Sequence, residues 1–417
     1  MHPTIAQVSS DPRVRAAQRH IARADEVTLA RQMELSGLAA PTGAEARRAT
    51  RVAELFGEAG LDDIAIDAVG NVVAWLVGEG ARGKGEGYGA APVILSAHLD
   101  TVFGPEVDVR VERRDGRLQG PGIADNARGL AALITVAQAL ARERVPLARP
   151  VLFAATVGEE GLGNLRGARY LLDGRRETGD GRRVRPTAFI ALDGAGIERV
   201  VHRALGSRRY RATYRGPGGH SWAAFGIANP AAAVGRAAGA VTELPTPSDP
   251  RTTCAVVRLG GGTALNSIPA EAWLELDLRS ETAAALADVD RAVGAALERA
   301  RDAENARRTR GTPPLTLTLD LLGERPPGRT APDEPLVQAA VAATRALGRD
   351  CGLASASTDA NAAIALGIPA IALGAGGRGG DAHLPTEWYE NTDGALGVVR
   401  AMLVAVAMAR SGGSPYR

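Results

Sequence analysis

The sequence predicts an α/β protein: a mostly parallel twisted sheet with helices on both faces, carrying an inserted ferredoxin-like β-α-β-β-α-β domain. Three observations predict it. Five short apolar runs, VVAWLV, PVILSA, PVLFAAT, TAFIAL and IPAIAL, are separated by helical stretches, as in a sheet covered on both faces. Between the fourth and fifth runs the pattern changes to strands with one wet face. The length of 417 residues also exceeds what one ordinary core supports, so two domains are expected.

In chain order, residues from about Glu26 to Gly60 read as two helices, with Val52, Leu55 and Phe56 giving one apolar spacing. DNARGLAALITVAQALARER places Leu130, Leu133, Ile134, Ala137 and Leu140 on one helical face. RYRATYRG then alternates Tyr210, Ala212 and Tyr214 with Arg209, Arg211 and Arg215, which suits a sheet wet on one side. A helix from Pro230, the strands TCAVVRLG and AWLELDLRS, a long Ala/Arg/Asp helix and PLTLTLDLL complete the β-α-β-β-α-β order. ERPPGRTAPDEP reads as the joint back to the first domain. The expected division is therefore 1–205 with 324–417 for one domain and 206–323 for the other. GRRETGDGRRVR reads as a solvated loop.

Composition narrows the function. A formal net charge of +2 argues against a dedicated nucleic-acid binder. Lys84, in the run GARGKGEGYG, is the only lysine among 49 basic residues, so Schiff-base chemistry is disfavoured. Cys254 and Cys351 have no CxxC companions and support neither a disulfide framework nor a thiolate zinc site. The N-terminus lacks the apolar core of a signal peptide, and no apolar run approaches the roughly 18 residues of a membrane span. A cytoplasmic protein without a membrane partner is expected.

The polar residues at the strand ends carry the chemistry, because ligands of open α/β sheets bind beyond the carboxyl ends of the strands. PVILSA runs into His98 and Asp100; PVLFAATV into Glu159 and Glu160; TAFIAL into Asp193; IPAIAL, after a glycine loop, into His383. Asp125 opens the helix after GPGIA, where on local sequence it also reads as a plain cap. Each of these residues alone has an ordinary structural explanation. Together, two of the chain's six histidines and several carboxylates converge on one crevice and would repel without cations. Imidazole plus carboxylate, with no thiolate, suits zinc, cobalt or manganese. Three carboxylates and one hydroxide balance two divalent ions, and a pair roughly 3.5–4 Å apart can activate a water while polarising a carbonyl. Asp100, two residues after His98, can orient its imidazole. Neighbouring residues leaving a strand point to opposite sides, so one of Glu159 and Glu160 can bind metal while the other serves as general base.

At these residues the chain resembles the di-zinc exopeptidase family of peptidase T, glutamate carboxypeptidase, aminoacylase and acetylornithine deacetylase. The matching motifs, in family order, are SAHLDTV, GPGIADNARG, GEEGLG, ALDG, GGHS, NSIP, DLRS and GGDAHLPTE, and they span nearly the whole chain. The resemblance implies that His98 and Asp193 bind one metal, Glu160 and His383 the other, and that Asp125 bridges them. It implies Glu159 as the base and Asp100 as the support of His98. It equates the inserted domain with the family's lid, which commonly makes a homodimer. It matches His220 to a lid histidine that steadies the oxyanion, and Asn266 and Arg279 to substrate-holding positions. The lid motif HSWAAFGIANPA stands nearest to peptidase T-like members, which implies a tripeptide or dipeptide substrate; an N-acyl amino acid substrate, or a carboxypeptidase, would use the same site.

Rival readings are weaker. GAGGRGG contains a GxGxxG after an apolar strand, but DAHLPTEWYE follows in place of a glycine-packed helix, so a dinucleotide site is disfavoured. No GxSxG elbow is present. A non-enzymatic metal-dependent binding protein would lack part of the ligand set or the base, and none is missing.

Overall fold

The computed structural model describes residues 4–78, 91–173 and 185–410. Lys84 and nearly all of GRRETGDGRRVR lie outside the described residues. The chain forms two compact units, Met1–Ala204 with Arg329–Arg417, and Leu205–Gly328. The second border falls after Gly328 and not at 323/324, because the strand Thr316–Arg325 continues past Gly323, with Arg325 opposite Ser207.

In the first unit the apolar runs assemble into one sheet. Its strands lie in the order Asp62–Ile66, Val72–Leu76, Val151–Thr156, Val93–His98, Ala188–Leu192, Ala370–Leu373, Arg199–Ala204 and Gly328–Arg329, with Gly352–Ala356 also paired to Arg199–Ala204. The four central strands, from Val151–Thr156 to Ala370–Leu373, are parallel. The run VVAWLV is antiparallel to Val151–Thr156. A continuous apolar run reports burial on both faces and not direction, which is why sequence leaves this open.

The period-two side-chain alternation sorts the core into two layers. Val151, Phe153 and Ala155 pack with Val93, Leu95, Ala97, Ile190 and Leu192 under the helices Ala127–Arg142 and Gly394–Ala409. Leu152 and Ala154 pack with Ile94, Phe189, Ala191 and Ala372 on the opposite face, beneath Arg166–Leu172 and Ala360–Ala365. The expected N-terminal helices are Asp25–Ser36 and Ala46–Glu58; two more, Ile5–Ser10 and Pro12–Arg23, precede them. No helix among the described residues is long and apolar enough to cross a membrane.

The second unit is a four-stranded antiparallel sheet in the order Thr252–Gly261, Glu271–Ser280, Gly206–Arg215, Thr316–Arg325. Numbered along the chain this is 2-3-1-4, the ferredoxin-like order. Helices Pro230–Thr242 and Ala283–Arg307 cover one face through Ala212, Tyr214, Leu274, Leu276 and Leu278. A short ribbon, Gly219–His220 against Ser267–Ile268, stands apart from this sheet.

Candidate metal centre

The parallel strands deliver their polar ends to one edge of the first unit. His98 is the last residue of its strand and is 2% exposed. Its Nε2 lies 2.9 Å from Asp125 Oδ1. His383 Nε2 lies 3.1 Å from Glu160 Oε1 and 3.4 Å from Asp125 Oδ2. One ligand atom from each of His98, Asp125 and Glu160 fits within 4.8 Å of the others. Asp193 stands beyond that tight group, but it shares with Asp125 the wall of a cavity of ≈ 690 Å³ that also includes Gly194, Arg199, Arg378 and Trp388.

Electrostatics show how strongly this cluster attracts positive charge. Burial pushes the Asp193 carboxyl up to about 7, helped by the neighbouring charges of Asp125, Glu160 and Asp359. Hydrogen bonds to Asp125 and Glu160 hold His383 at about 10. For His98, burial pulls downward, but Asp100 and Asp125 outweigh it and hold the ring well above its ordinary value. For Asp125, burial pulls upward and is outweighed by His383 and His98, so its carboxyl is held low. Crowded acids that raise adjacent imidazoles are a donor set suited to divalent cations.

The turns that present these side chains have identifiable causes. Asp125 is not the helix cap. Asn126 takes that role, accepting from the Gly129 N–H at 3.1 Å and donating to the Leu192 carbonyl at 2.8 Å. The Asp125–Asn126 peptide is cis. Gly122 has φ +72°, and a Cβ there would meet Thr101 Cγ2 at 2.7 Å, so only glycine fits the turn. Glu159 and Glu160 are presented by a turn and not by the strand's pleat: the strand ends at Thr156, and Gly158 follows at φ +64°. Both glutamates are buried.

Asp100 holds this turn. Its Oδ1 accepts the Glu159 N–H at 2.9 Å; its Oδ2 accepts the Glu160 N–H at 2.9 Å and the Thr42 hydroxyl at 2.8 Å. The His98 Nδ1 is 3.6 Å from Asp100 Oδ1 but only 3.0 Å from the Asp100 main-chain carbonyl. The imidazole is thus oriented mainly by backbone, and the Asp100 carboxylate mainly serves the glutamate turn.

Three further carboxylates act here without having been singled out from sequence. Glu45 accepts the N–H of Gly43 at 2.8 Å and of Gly158 at 3.1 Å. Asp359 accepts the Thr156 hydroxyl at 2.6 Å. Glu387, fully buried, accepts three N–H groups of the Asp125 turn, and burial pushes its carboxyl up to about 7 against their pull. Only Glu387 had a visible signal, as the end of HLPTE.

His220, Asn266 and Arg279 belong to the second unit. The ribbon brings the first two together, with the Asn266 carbonyl accepting the Ser221 N–H at 2.9 Å. His220 is exposed, and its Nδ1 accepts the N–H groups of Trp222 at 3.2 Å and Ala223 at 3.4 Å. The neutral ring therefore carries its proton on Nε2. Arg279 stands on the sheet face away from the helices, its Nε donating to Asp277 Oδ2 at 2.8 Å.

The profile of peptidase family M20/M25/M40 matches residues 94–409, most of the chain. The chain belongs to that family. It is accordingly a hydrolase of peptide or amide bonds, as the motif resemblance implied. Similar solved structures include aminopeptidase PepT from Bacillus cereus, 21% identical over 92% of this chain and 98% of that one, with a TM-score of 0.67. A tripeptidase from Staphylococcus aureus is 21% identical over 93% and 99%, with a TM-score of 0.72. A dinuclear metal-binding peptidase from Bacillus subtilis is 17% identical over 94% and 98%, with a TM-score of 0.62. No curated protein matches the chain. At these identities the M20 peptidases share the fold with this chain, including the division into catalytic and lid domains.

Proposed function

We propose that the chain is a di-metal exopeptidase that hydrolyses a terminal amide bond of short peptides, most simply a tripeptide or dipeptide aminopeptidase. The observation that carries the reading is the convergence of His98, Asp125, Glu160 and His383. In this assignment His98 and Asp193 hold one ion, Glu160 and His383 the other, and Asp125 both. Zinc is the favoured metal, with cobalt or manganese suiting the same donors. When bound, the ions supply Lewis acidity, easing deprotonation of a water and polarising the scissile carbonyl.

The chain's own residues do the rest. Glu159 takes the proton of the attacking water and passes it to the departing amine. Asp100 fixes the main chain of Glu159 and Glu160, so that base and ligand keep their spacing. His220 offers Nε2–H to the carbonyl oxygen as negative charge grows there. Asn266 and Arg279 hold the peptide, and a guanidinium suits a carboxylate bidentately. The second unit is assigned the role of homodimer contact, with His220 serving the partner's site.

The test is a substrate panel of tripeptides, dipeptides and N-acyl amino acids, assayed with zinc- or cobalt-loaded protein. Release of the N-terminal residue from a tripeptide or dipeptide is expected. Cleavage confined to N-acyl amino acids would replace this reading by an amidohydrolase, and cleavage from the carboxyl end by a carboxypeptidase.

A further inference from the structure

We propose that Glu387 is a positioning residue that holds the Asp125 turn in its ligand-presenting shape before any ion binds. The inference rests on the reading of Asp125 as a metal ligand, and it assigns the site's preorganisation to one side chain.

The geometry is specific. Glu387 Oε1 accepts the N–H of Ala124 and of Asp125, both at 2.8 Å. Its Oε2 accepts the Gly122 N–H at 3.1 Å. Its main-chain carbonyl accepts the Gly120 N–H at 2.9 Å. Four amides of the segment 120–125 thus end on one residue more than 260 positions away. Glu387 is fully buried. A carboxylate in such a place is tolerated because short bonds to N–H groups replace its hydration.

The consequence reaches the metal cluster through two routes. The Asp125 amide is fixed directly, which sets the origin of the side chain that touches His98 and His383. Glu387 also lies four residues after His383, so it ties the segment of one ligand to the turn of another. Without it, Gly122, Ala124 and Asp125 would have to find other acceptors, and a glycine-containing turn would not stay in one conformation by itself.

The test compares Glu387→Gln with Glu387→Met in the full-length protein. Glutamine keeps a carbonyl oxygen for the Ala124 and Asp125 N–H groups and loses only the Gly122 bond. Methionine keeps the volume and offers no comparable acceptor. Hydrogen exchange of residues 120–125 is measured in chelator-treated protein, and zinc ions alone are titrated by calorimetry. The wild-type turn is expected to be protected without metal. The methionine variant should lose that protection selectively and bind zinc about 10–100-fold more weakly. The glutamine variant should lose about fivefold or less, a partial rescue that a filler role would not produce.

Fast exchange of the wild-type turn in the absence of metal would overturn the proposal, because metal would then be the organiser. Full zinc affinity in the methionine variant, or equal losses in both variants, would overturn it too. If the methionine variant does not fold, wild-type exchange and the glutamine variant still decide. A protected turn in a wild-type protein that binds no zinc would refute the metal reading of Asp125 while still supporting the clamp.

Discussion

Replacing Asp100 by asparagine separates two jobs that one carboxylate could do. Asp100 is fully buried and accepts from two amides and one hydroxyl at 2.8–2.9 Å. The asparagine oxygen can keep one amide, while its NH2 group faces the other donor. Hydrogen bonds to a charged acceptor contribute about 1.5–3 kcal/mol each, so losing one and weakening another should cost about 2–3 kcal/mol. In a unit of this size that lowers Tm by roughly 4–6 °C. The larger effect is on chemistry. A turn relaxed by a fraction of an ångström misplaces Glu159, and kcat should fall by about 10–100-fold with KM little changed. The ion assigned to His98 should be retained, because the His98 ring leans on the Asp100 main chain at 3.0 Å. Thr42→Val, which removes only the hydroxyl donor, should cost about 1 kcal/mol and leave kcat near wild type. The assays are thermal unfolding, steady-state kinetics and elemental analysis of the same preparations. An unchanged kcat and an unchanged Tm in Asp100→Asn would refute the assignment of the carboxylate to the glutamate turn.

Three further outcomes are expected. Zinc must displace the proton that Asp125 and Glu160 hold on His383, so its affinity should rise at least about tenfold per pH unit between about pH 7 and 9, with His98, also held above its ordinary value, adding to the slope wherever it is still protonated. Below about 7, where Asp193 is also protonated, the slope should steepen, and a pH-independent titration would contradict the ligand set. His220→Ala should lower turnover by about 10²–10³-fold without changing metal content, and mixed dimers with a metal-site variant should regain activity; no recovery would count against action in the partner's site. Arg279→Ala should chiefly raise KM, as lost uniform binding does, and unimpaired kinetics on the best peptide would remove it from the site.

The candidate metal cluster was legible because its residue types are conspicuous where they stand. A histidine or a pair of glutamates at one strand end is ordinary alone, but four strand ends and the helix start at Asp125 carry such residues together. The inserted unit was legible through Tyr210, Ala212 and Tyr214, whose alternation shows a sheet wet on one face. What sequence concealed was mostly bonding to backbone. Nothing in LDT distinguishes an Asp100 that orients His98 from one that holds two amides 59 and 60 residues away. Asn126 outcompetes Asp125 for the cap, yet both residue types cap helices well. Glu387 is visible as a letter in HLPTE, but its partners are amides, which every residue except proline has. The helices before Glu26 were missed for a different reason. Ile5–Ser10 and Pro12–Arg23 bury only a narrow stripe, Ile5, Val8, Val14, Ala17 and Ile21, among many charged neighbours.

The most direct measurement of the central claim is metal content and turnover on Glu159→Gln and Glu160→Ala. Glutamine at 159 keeps the size and hydrogen bonding of the side chain but cannot take a proton. Both ions should remain while the rate falls by at least about 10²–10⁴-fold. Alanine at 160 removes a ligand, so one ion should weaken or leave, since His383 and Asp125 alone complete too few bonds to it. Loss of an ion from Glu159→Gln with both retained in Glu160→Ala would reverse the two roles. Two variants with full activity and full metal content would contradict the account at its centre.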